Sequence, residues 1–532
     1  MIACAIAATA AIFLAPELAG AQRYITAPKI ADSLAAIAAE RRATGGSAWN
    51  HIGAVVMDGT ITEGNVPDQF TRVIDLRTGY SRTVQDRGGA LNVSGFDGMH
   101  WTSSNGIVSV QDLPPLVEDA RSFAFVDRAG WRLLGNTTGK SLITHVARRS
   151  DGRSVAITFL PDSSSEVEVT FDARTLLVTR VEIQTDEGPV VMTFADWRSV
   201  GPVKFAFQVV ETDNTGERTV TQLAHVKLQA RAGAGAFARP SAIPHGHFVA
   251  GVSPATVPFT TSGARQTHIS IPARVSGLDA ILIFDTGAAN YYSPDAAKRF
   301  GLTVSGGLNL NGVGESSTTG GFAKVDRVQI GSAELIDESV VVGPVPWPNS
   351  GSPSVAAGFA GYEFLSEFRT TIDYPNRTLT FAPFQSPAVE GTKVPFFSDG
   401  HAIYVVAVVD GLRGWFRLDT GDGGAVTLFP EFAARHNLYQ NLGTAPTLPG
   451  GGGIGGRTKI QPITLSRFSF AGMTFDSLSA GLSQDKAGAF ASRSLAGNLG
   501  ASVLRCFRMT LDYRARLLTF EPRPKVDGCG RI

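Results

Sequence analysis

Two Asp-Thr-Gly triplets are the residues of this sequence whose types and spacing could do chemistry. They are Asp285-Thr286-Gly287 and Asp419-Thr420-Gly421, and each directly follows an apolar segment. An apolar strand holds the aspartate at its end, and glycine lets the backbone turn tightly and approach a neighbour closely. Two carboxyl groups brought together cannot both ionise cheaply, so they share one proton. Such a pair can activate a water molecule and protonate an amide carbonyl, which predicts acid–base hydrolysis by Asp285 and Asp419.

The two triplets lie inside an internal repeat. In each copy, two strand patterns joined by a glycine-containing turn lead to the triplet, a Gly-x-Gly element follows, and an Asp-Tyr strand closes the copy. The matched pairs are Thr267–Gly287 with His401–Gly421, Gly312–Gly314 with Gly453–Gly455, Phe359–Leu365 with Asn498–Leu504, and Thr370–Phe381 with Met509–Phe520. Because four markers keep one order, we predict two lobes of common fold and ancestry, residues 265–388 and 389–525.

Residues 266–522 resemble a retropepsin-like aspartic protease that is duplicated within one chain. The resemblance rests on the Asp-Thr-Gly triplets after apolar residues, the Gly-x-Gly elements, the glycine before a short helix, and the closing Asp-Tyr strands. It implies a mainly β, bilobal acid-protease unit with Asp285 and Asp419 as the catalytic pair. It also implies that Thr286 and Thr420 interlock the active-site loops, supported by Gly287 and Gly421. The implied substrate is an extended polypeptide, with no metal, no organic cofactor, and lobes that pair within a monomer.

The resemblance further implies glycine-rich hairpin flaps over the substrate. Their tips are Gly312, Val313 and Gly314 in the first lobe, and Gly453, Ile454 and Gly455 in the second. The second run, PGGGGIGG, also contains the Gly-x-Gly-x-x-Gly spacing of some nucleotide-binding loops. A phosphate loop requires a helix or a Lys-Ser/Thr pair after it, whereas a strand pattern follows here. We therefore interpret the run as a flap.

Three departures from the family pattern keep a second hypothesis open. Asp422 adds a third carboxyl group after the second triplet, Arg417 is polar inside an apolar strand, and Ala360 stands where a bulkier aliphatic residue is usual. The rival hypothesis is a catalytically weakened peptide- or lipid-binding module of the cell envelope. A further alternative is that each lobe pairs with its twin in another chain.

Composition bounds the class of protein. The chain has 532 residues, 43% hydrophobic and 18% charged, with 47 basic and 47 acidic residues. With equal numbers of basic and acidic residues, the chain has no net positive charge that would indicate binding to nucleic acid. Its length predicts several domains. The sequence contains no apolar run long enough for a membrane span.

The first part of the chain predicts export and a separate β-domain. Residues 1–21 read as a signal peptide with cleavage near Ala21, so the protein is expected to be secreted or periplasmic. Residues 22–229 predict an antiparallel β-domain with one helix over Pro28–Ala43, followed by a linker, 230–264. This domain weakly resembles periplasmic lipoprotein-carrier-like proteins, which implies a lipid or a partner protein as its ligand, or a scaffold only.

Two cysteines remain after the signal segment. Cys506 and Cys529 form an even pair in a chain expected in an oxidising compartment, so either a disulfide to the C-terminal tail, 526–532, or two free thiols fits.

Overall fold

The protein is described by a computed structural model that covers residues 30–63, 66–87, 90–104, 106–133, 143–148, 154–161, 165–263, 265–440, 445–523 and 528–531. The predicted signal peptide lies outside these described residues. The fold is mainly β, as the sequence predicts. The chain divides into two compact units: one contains Ser241–Ile532 with the short segment Ser104–Ser109, and the other contains Val110–Pro240 with residues up to Ser103.

The N-terminal unit is built on one sheet, in which twelve strands of this unit are described in the order β5-β4-β3-β2-β1-β13-β12-β11-β10-β9-β8-β7. Most of β6 belongs to the short segment Ser104–Ser109 of the other unit. The described pairings of the sheet are antiparallel, and buried and open positions alternate along several strands, as expected for a sheet with one covered face. The strands are β1 (Ala54–Glu63), β2 (Val66–Asp75), β3 (Ser81–Arg87), β4 (Ala90–Phe96), β5 (His100–Ser104), β6 (Ile107–Val110), β7 (Ile143–Arg148), β8 (Ser154–Phe159), β9 (Val167–Asp172), β10 (Val178–Thr185), β11 (Gly188–Val200), β12 (Val203–Thr212) and β13 (Arg218–Gln229).

Two α-helices, rather than the one expected, are described in this unit. They are α1 (Ile30–Thr44) and α2 (Pro114–Asp127). The sequence analysis missed α2, although its two leading prolines suit the first turn of a helix. Phe125 of α2 and Ile37 of α1 are buried in one core with strand residues such as Ile157. Short 3₁₀ turns occupy Gly46–His51 and Gly130–Leu133.

The C-terminal unit contains two lobes with the same succession of elements. The first lobe has β14 (Gly246–Phe248), β15 (Ala255–Pro258), β16 (Thr260–Ser262), β17 (His268–Val275), β18 (Leu278–Phe284), β19 (Tyr291–Tyr292), α3 (Pro294–Arg299), β20 (Val304–Leu310), β21 (Thr318–Ile330), β22 (Ala333–Val342), β23 (Ala356–Ala360), α4 (Tyr362–Glu367), β24 (Arg369–Asp373) and β25 (Thr378–Ala382). Part of the segment predicted as a linker therefore forms short strands, and β15 places Ala255 and Val257 in the core.

The second lobe repeats this order from its third strand onward. It has β26 (Thr392–Pro395), β27 (Phe397–Ser398), β28 (Ile403–Val409), β29 (Leu412–Asp419), β30 (Val426–Leu428), α5 (Pro430–Arg435), β31 (Leu448–Gly453), β32 (Gly456–Phe470), β33 (Met473–Ser483), β34 (Gly497–Gly500), α6 (Ala501–Leu504), β35 (Phe507–Asp512) and β36 (Leu517–Pro522). Short 3₁₀ turns cover Val249–Gly251 in the first lobe and Leu438–Gln440 in the second.

One sheet is built from strands of both lobes. Its described order is β15-β25-β24-β35-β36-β26, and the strands of the two lobes meet where β24 pairs with β35. The hydroxyl groups of Thr371 and Thr510 are 2.8 Å apart across this junction. The apolar residues beneath it, including Ile372 and Leu511, belong to one continuous core that extends through both lobes.

The two cysteines are joined. A disulfide links Cys506, directly before β35, to Cys529, 23 residues further along the chain, with their Cα atoms 5.5 Å apart. Of the two alternatives left open by the sequence, the disulfide is the one present.

Candidate functional site

Two strands at equivalent places in the two lobes position the aspartates of the triplets. β18 runs antiparallel to β17 and parallel to β23, and Asp285 follows it directly. In the second lobe β29 runs antiparallel to β28 and parallel to β34, and it ends at Asp419. Both aspartates are 8% exposed. Because each strand is hydrogen-bonded on both sides, the position of its terminal aspartate is fixed by the sheet.

The threonines of the triplets lock the two loops together. The backbone N–H of Thr286 donates to Oγ1 of Thr420, and the N–H of Thr420 donates to Oγ1 of Thr286, each at 3.0 Å. Each hydroxyl in turn donates to a carbonyl of the opposite lobe, Thr286 to Leu418 at 3.0 Å and Thr420 to Phe284 at 3.2 Å. These four hydrogen bonds join the two triplet loops through the threonines for which the resemblance implies an interlocking role.

The two carboxyl groups meet at the centre of this arrangement. Asp285 Oδ1 accepts from the N–H of Gly287, and Asp419 Oδ1 accepts from the N–H of Gly421, both at 2.8 Å. Burial, and then the charge of Asp419, raise the pKa of Asp285 well above its usual value. The arrangement can therefore hold one proton between two carboxyl groups at a pH where free aspartates are ionised.

The triplet glycines are required by the closeness of the aspartates. A Cβ atom at Gly421 would lie 2.2 Å from Oδ2 of Asp285, and one at Gly287 would lie 3.0 Å from the carboxyl carbon of Asp419. Each glycine thus lets its loop pass against the carboxyl group of the other lobe, which a side chain would push away.

The two predicted flap tips are in direct contact. The N–H of Gly314 donates to the carbonyl of Ile454, and the N–H of Ser316 to that of Gly455, both at 3.1 Å. The glycine-rich run of the second predicted flap forms the antiparallel hairpin of β31 and β32. Ile454 packs against an apolar cluster of the first lobe that includes Tyr291 and Val341. Glu315 at the first tip forms an ion pair with Lys459 of β32.

Asn498 is a residue of the site that the sequence analysis did not single out. Its Nδ2 donates to Oδ2 of Asp419 at 3.3 Å and to Oδ2 of Asp422 at 2.8 Å. Asp422, which the sequence analysis noted as a third carboxyl group, is half-buried, and burial followed by the charge of Asp419 raises its pKa. The available signal was Asn498 itself, a polar residue at the position that Phe359 occupies in the first lobe.

Arg417, the polar residue in an apolar strand, has its own partners. Its Nη2 donates to the hydroxyl of Tyr404 at 3.2 Å, and that hydroxyl donates to Oδ2 of Asp399 at 2.6 Å. The carboxylates of Asp399 and Asp419 also act on the guanidinium, and together with Tyr404 they raise its pKa.

A second missed group supports the loop of the first lobe. Oδ1 of Asn290 accepts from the N–H of Gly361 at 2.9 Å, while its Nδ2 donates to Oε2 of Glu338 at 3.0 Å. The N–H of Asn290 donates to Oε2 of Glu363 at 2.5 Å. Burial raises the pKa of both glutamates, and Glu363 raises that of Glu338 further. These residues connect β22, α4 and the loop after Asp285.

The described residues offer no cluster of three or more His, Cys, Asp or Glu side chains that could hold a metal ion. Among the same residues, no helix is long and apolar enough to cross a membrane.

Comparison with known proteins gives one family match. A model of the aspartyl protease family matches residues 271–362, which include the first triplet and extend to the start of α4. This is well under half of the chain. No curated protein matches.

Three solved structures show distant likeness. A domain described as an outer membrane lipoprotein-sorting protein, from Vibrio parahaemolyticus, is 13% identical, with 40% of this chain and 97% of that chain covered, at a TM-score of 0.29. A DUF1329 family protein from Desulfovibrio piger is 12% identical, with 40% and 98% covered, at a TM-score of 0.28. A retropepsin-like aspartic protease from Rickettsia conorii is 20% identical, with 24% and 87% covered, at a TM-score of 0.18. Scores this low carry no argument about function.

Proposed function

We propose that residues 265–388 and 389–525 form the two lobes of an aspartic endopeptidase, with Asp285 and Asp419 as its acid–base pair. The observation that carries this proposal is the reciprocal pair of threonine hydrogen bonds, which joins the two triplet loops and brings the two carboxyl groups together. The match of the first lobe to the aspartyl protease family supports it. No metal or organic cofactor enters the proposed reaction.

The reaction that this geometry supports is direct attack of water on a peptide bond. The ionised carboxylate takes a proton from water while the water oxygen bonds to the carbonyl carbon, and the protonated carboxyl group gives its proton to the carbonyl oxygen. The resulting gem-diol then gives a hydroxyl proton to the group that is now ionised as the C–N bond breaks. The carboxyl group that took the proton from water protonates the leaving amine. The site thereby regains one proton on two carboxyl groups.

The proposed substrate is an extended polypeptide lying between the carboxyl pair and the joined flap tips. Extended segments bind in such clefts through backbone hydrogen bonds, with side chains directed alternately to the two walls. The paired flap tips, Gly314 with Ile454 and Ser316 with Gly455, form the roof of the proposed cleft.

We further propose that the protein works in an oxidising compartment, secreted or periplasmic. The support is the disulfide between Cys506 and Cys529, since such bonds persist mainly outside the cytosol.

The proposal is tested by incubating the purified chain with denatured casein between pH 3 and pH 8. We expect fragments from the parent chain and none from Asp285→Asn or Asp419→Asn, because either change removes one half of the proton-sharing pair. Asp512→Asn is the matched control, since Asp512 caps a turn by accepting from the N–H of Ala515 at 2.9 Å. Cleavage by either triplet variant would contradict the assignment.

A peptide-binding module is the second candidate function, and the third carboxyl group at Asp422 is the observation that favours it. A folded parent chain that cleaves nothing at any pH, yet protects a bound peptide from added trypsin, would support that candidate over the endopeptidase.

A further inference from the structure

The two aspartates of the pair have different surroundings. Phe359 of β23 lies opposite Ile283 of β18, while at the equivalent place in the second lobe Asn498 of β34 lies opposite Arg417 of β29. Residues paired across strands present their side chains on the same face of a sheet. The aspartate of the first lobe is therefore preceded by an apolar pair on its sheet, and that of the second lobe by a polar pair.

The hydrogen bonds repeat this asymmetry. Asp419 accepts from three N–H groups: the backbone of Gly421 at 2.8 Å, the backbone of Asp422 at 3.0 Å, and Nδ2 of Asn498 at 3.3 Å. Asp285 accepts from the backbone N–H of Gly287 at 2.8 Å. The side-chain amide has no counterpart in the first lobe, where Phe359 occupies its position. A carboxylate that accepts several N–H bonds is stabilised in its ionised form.

We propose that Asn498, held in place by Asp422, is a positioning residue that keeps Asp419 ionised and leaves the shared proton on Asp285. The inference rests on the proposed endopeptidase function and deepens it, because it gives each aspartate one role. Asp419 takes the proton from the attacking water, and Asp285 gives its proton to the carbonyl oxygen. Arg417 acts in the same direction, since its guanidinium attracts the charge of Asp419.

The other charged or titratable groups that act on Asp419 define the expected pH behaviour. They are the carboxyl groups of Asp285 and Asp422, the guanidinium of Arg417 and the hydroxyl of Tyr374. Burial raises the pKa of Asp422, so it is neutral at the acid end of the range, and Arg265 opposes this rise.

The test is the pH dependence of kcat/KM for three variants on a fluorogenic peptide built around the casein bond that is cut fastest. We expect Asn498→Leu to move the acid limb of the kcat/KM curve to higher pH by about one unit, because the carboxylate of Asp419 loses a hydrogen-bond donor. Phe359→Leu, at the same place in the first lobe, should leave that limb unchanged. Asp422→Ala, which copies Ala288 of the first lobe and removes the acceptor that holds Asn498, should move the acid limb in the same direction as Asn498→Leu. An unmoved acid limb in Asn498→Leu, or an equal shift in Phe359→Leu, would overturn the proposal.

A second measurement does not depend on turnover. The ¹³C shifts of labelled aspartate carboxyl groups, assigned with the Asp285→Asn and Asp419→Asn variants, report which carboxyl group is protonated at pH 5. A protonated Asp285 beside an ionised Asp419 supports the inference, and the reverse overturns it. Absence of cleavage by the parent chain would defeat the endopeptidase proposal alone, because this spectrum still locates the proton.

Discussion

At the scale of the residue, two identical triplets do not make two identical sites. The sequence predicts Asp285, Asp419 and the threonines after them, because a reactive carboxylate needs a rigid strand end and a tight turn. It did not single out Asn498 or Asn290, because their importance depends on which carboxyl groups the fold brings beside them. Contacts between residues far apart in the chain leave no local pattern in the sequence. For Asn498, the one indication is that the equivalent position in the first lobe holds the apolar residue Phe359.

Replacement of the interlocking threonine tests whether the two loops depend on each other. Thr286→Val removes the acceptor for the N–H of Thr420 and the donor to the carbonyl of Leu418, so both buried groups lose a partner. We expect the free energy of unfolding to fall by about 2 kcal/mol or more, with a large loss of kcat. Thr286→Ser keeps the hydroxyl group and should keep most of the free energy of unfolding and most of kcat. Urea unfolding and kcat measure the two effects, and equal behaviour of Val and Ser would show that the hydroxyl is irrelevant.

At the scale of the element, the flaps are joined both by backbone bonds and by an ion pair. Gly314 and Ser316 of the first flap bond to the tip of the second, and Glu315 accepts from the N–H of Lys486 at 2.7 Å in addition to pairing with Lys459. The glycine pattern predicts the second hairpin, because its strands follow from the local sequence. The mutual pairing of the tips could not be read from either hairpin alone.

Loss of the ion pair should loosen the flap contact. Lys459 is 53% exposed, and exposed ion pairs contribute roughly 0.2–1 kcal/mol, so we expect Lys459→Met to raise KM by up to about five-fold with kcat little changed. The difference from the parent should shrink at 1 M salt, where such pairs are screened. The control is Arg467→Met, which breaks an exposed ion pair between Arg467, further along β32, and Asp476 of β33. The rate of hydrogen exchange at the backbone amides of Gly314 and Ser316 is an independent measure of the contact between the flap tips. An unchanged rate in Lys459→Met would show that the ion pair does not stabilise this contact.

At the scale of the whole molecule, several buried carboxyl groups have a raised pKa. Burial is the largest cause for Glu338, Glu363 and Asp285, and it also raises the pKa of Asp119 to about 6. The folded chain therefore holds protons that the unfolded chain releases between about pH 4 and the folded-state pKa of each group. Stability from these groups is complete at the acid end of that window and is lost as the pH rises through it.

We accordingly expect the free energy of unfolding to decrease from about pH 4 to pH 7, which chemical denaturation at several pH values measures. A carboxyl group whose pKa is about 6 rather than 3.8 contributes up to ~3 kcal/mol of this change. Asp119→Asn should flatten the profile, because the amide cannot ionise, while Asp75→Asn, at an exposed turn, should not. Stability that instead rises over this range would show that the buried groups are ionised in the folded chain.

The sheet shared by the lobes has a consequence for when the proposed activity arises. β24 of the first lobe pairs with β35, and β26 pairs with β36, so this sheet is complete only after residues near Phe520 are available. Pairing between strands so distant in sequence forms late, because a long loop must close first. The first lobe therefore lacks its partner strands in this sheet until residues 507–522 are available to fold. We therefore expect the proposed activity to appear only after the last strands of the chain have paired, wherever folding takes place.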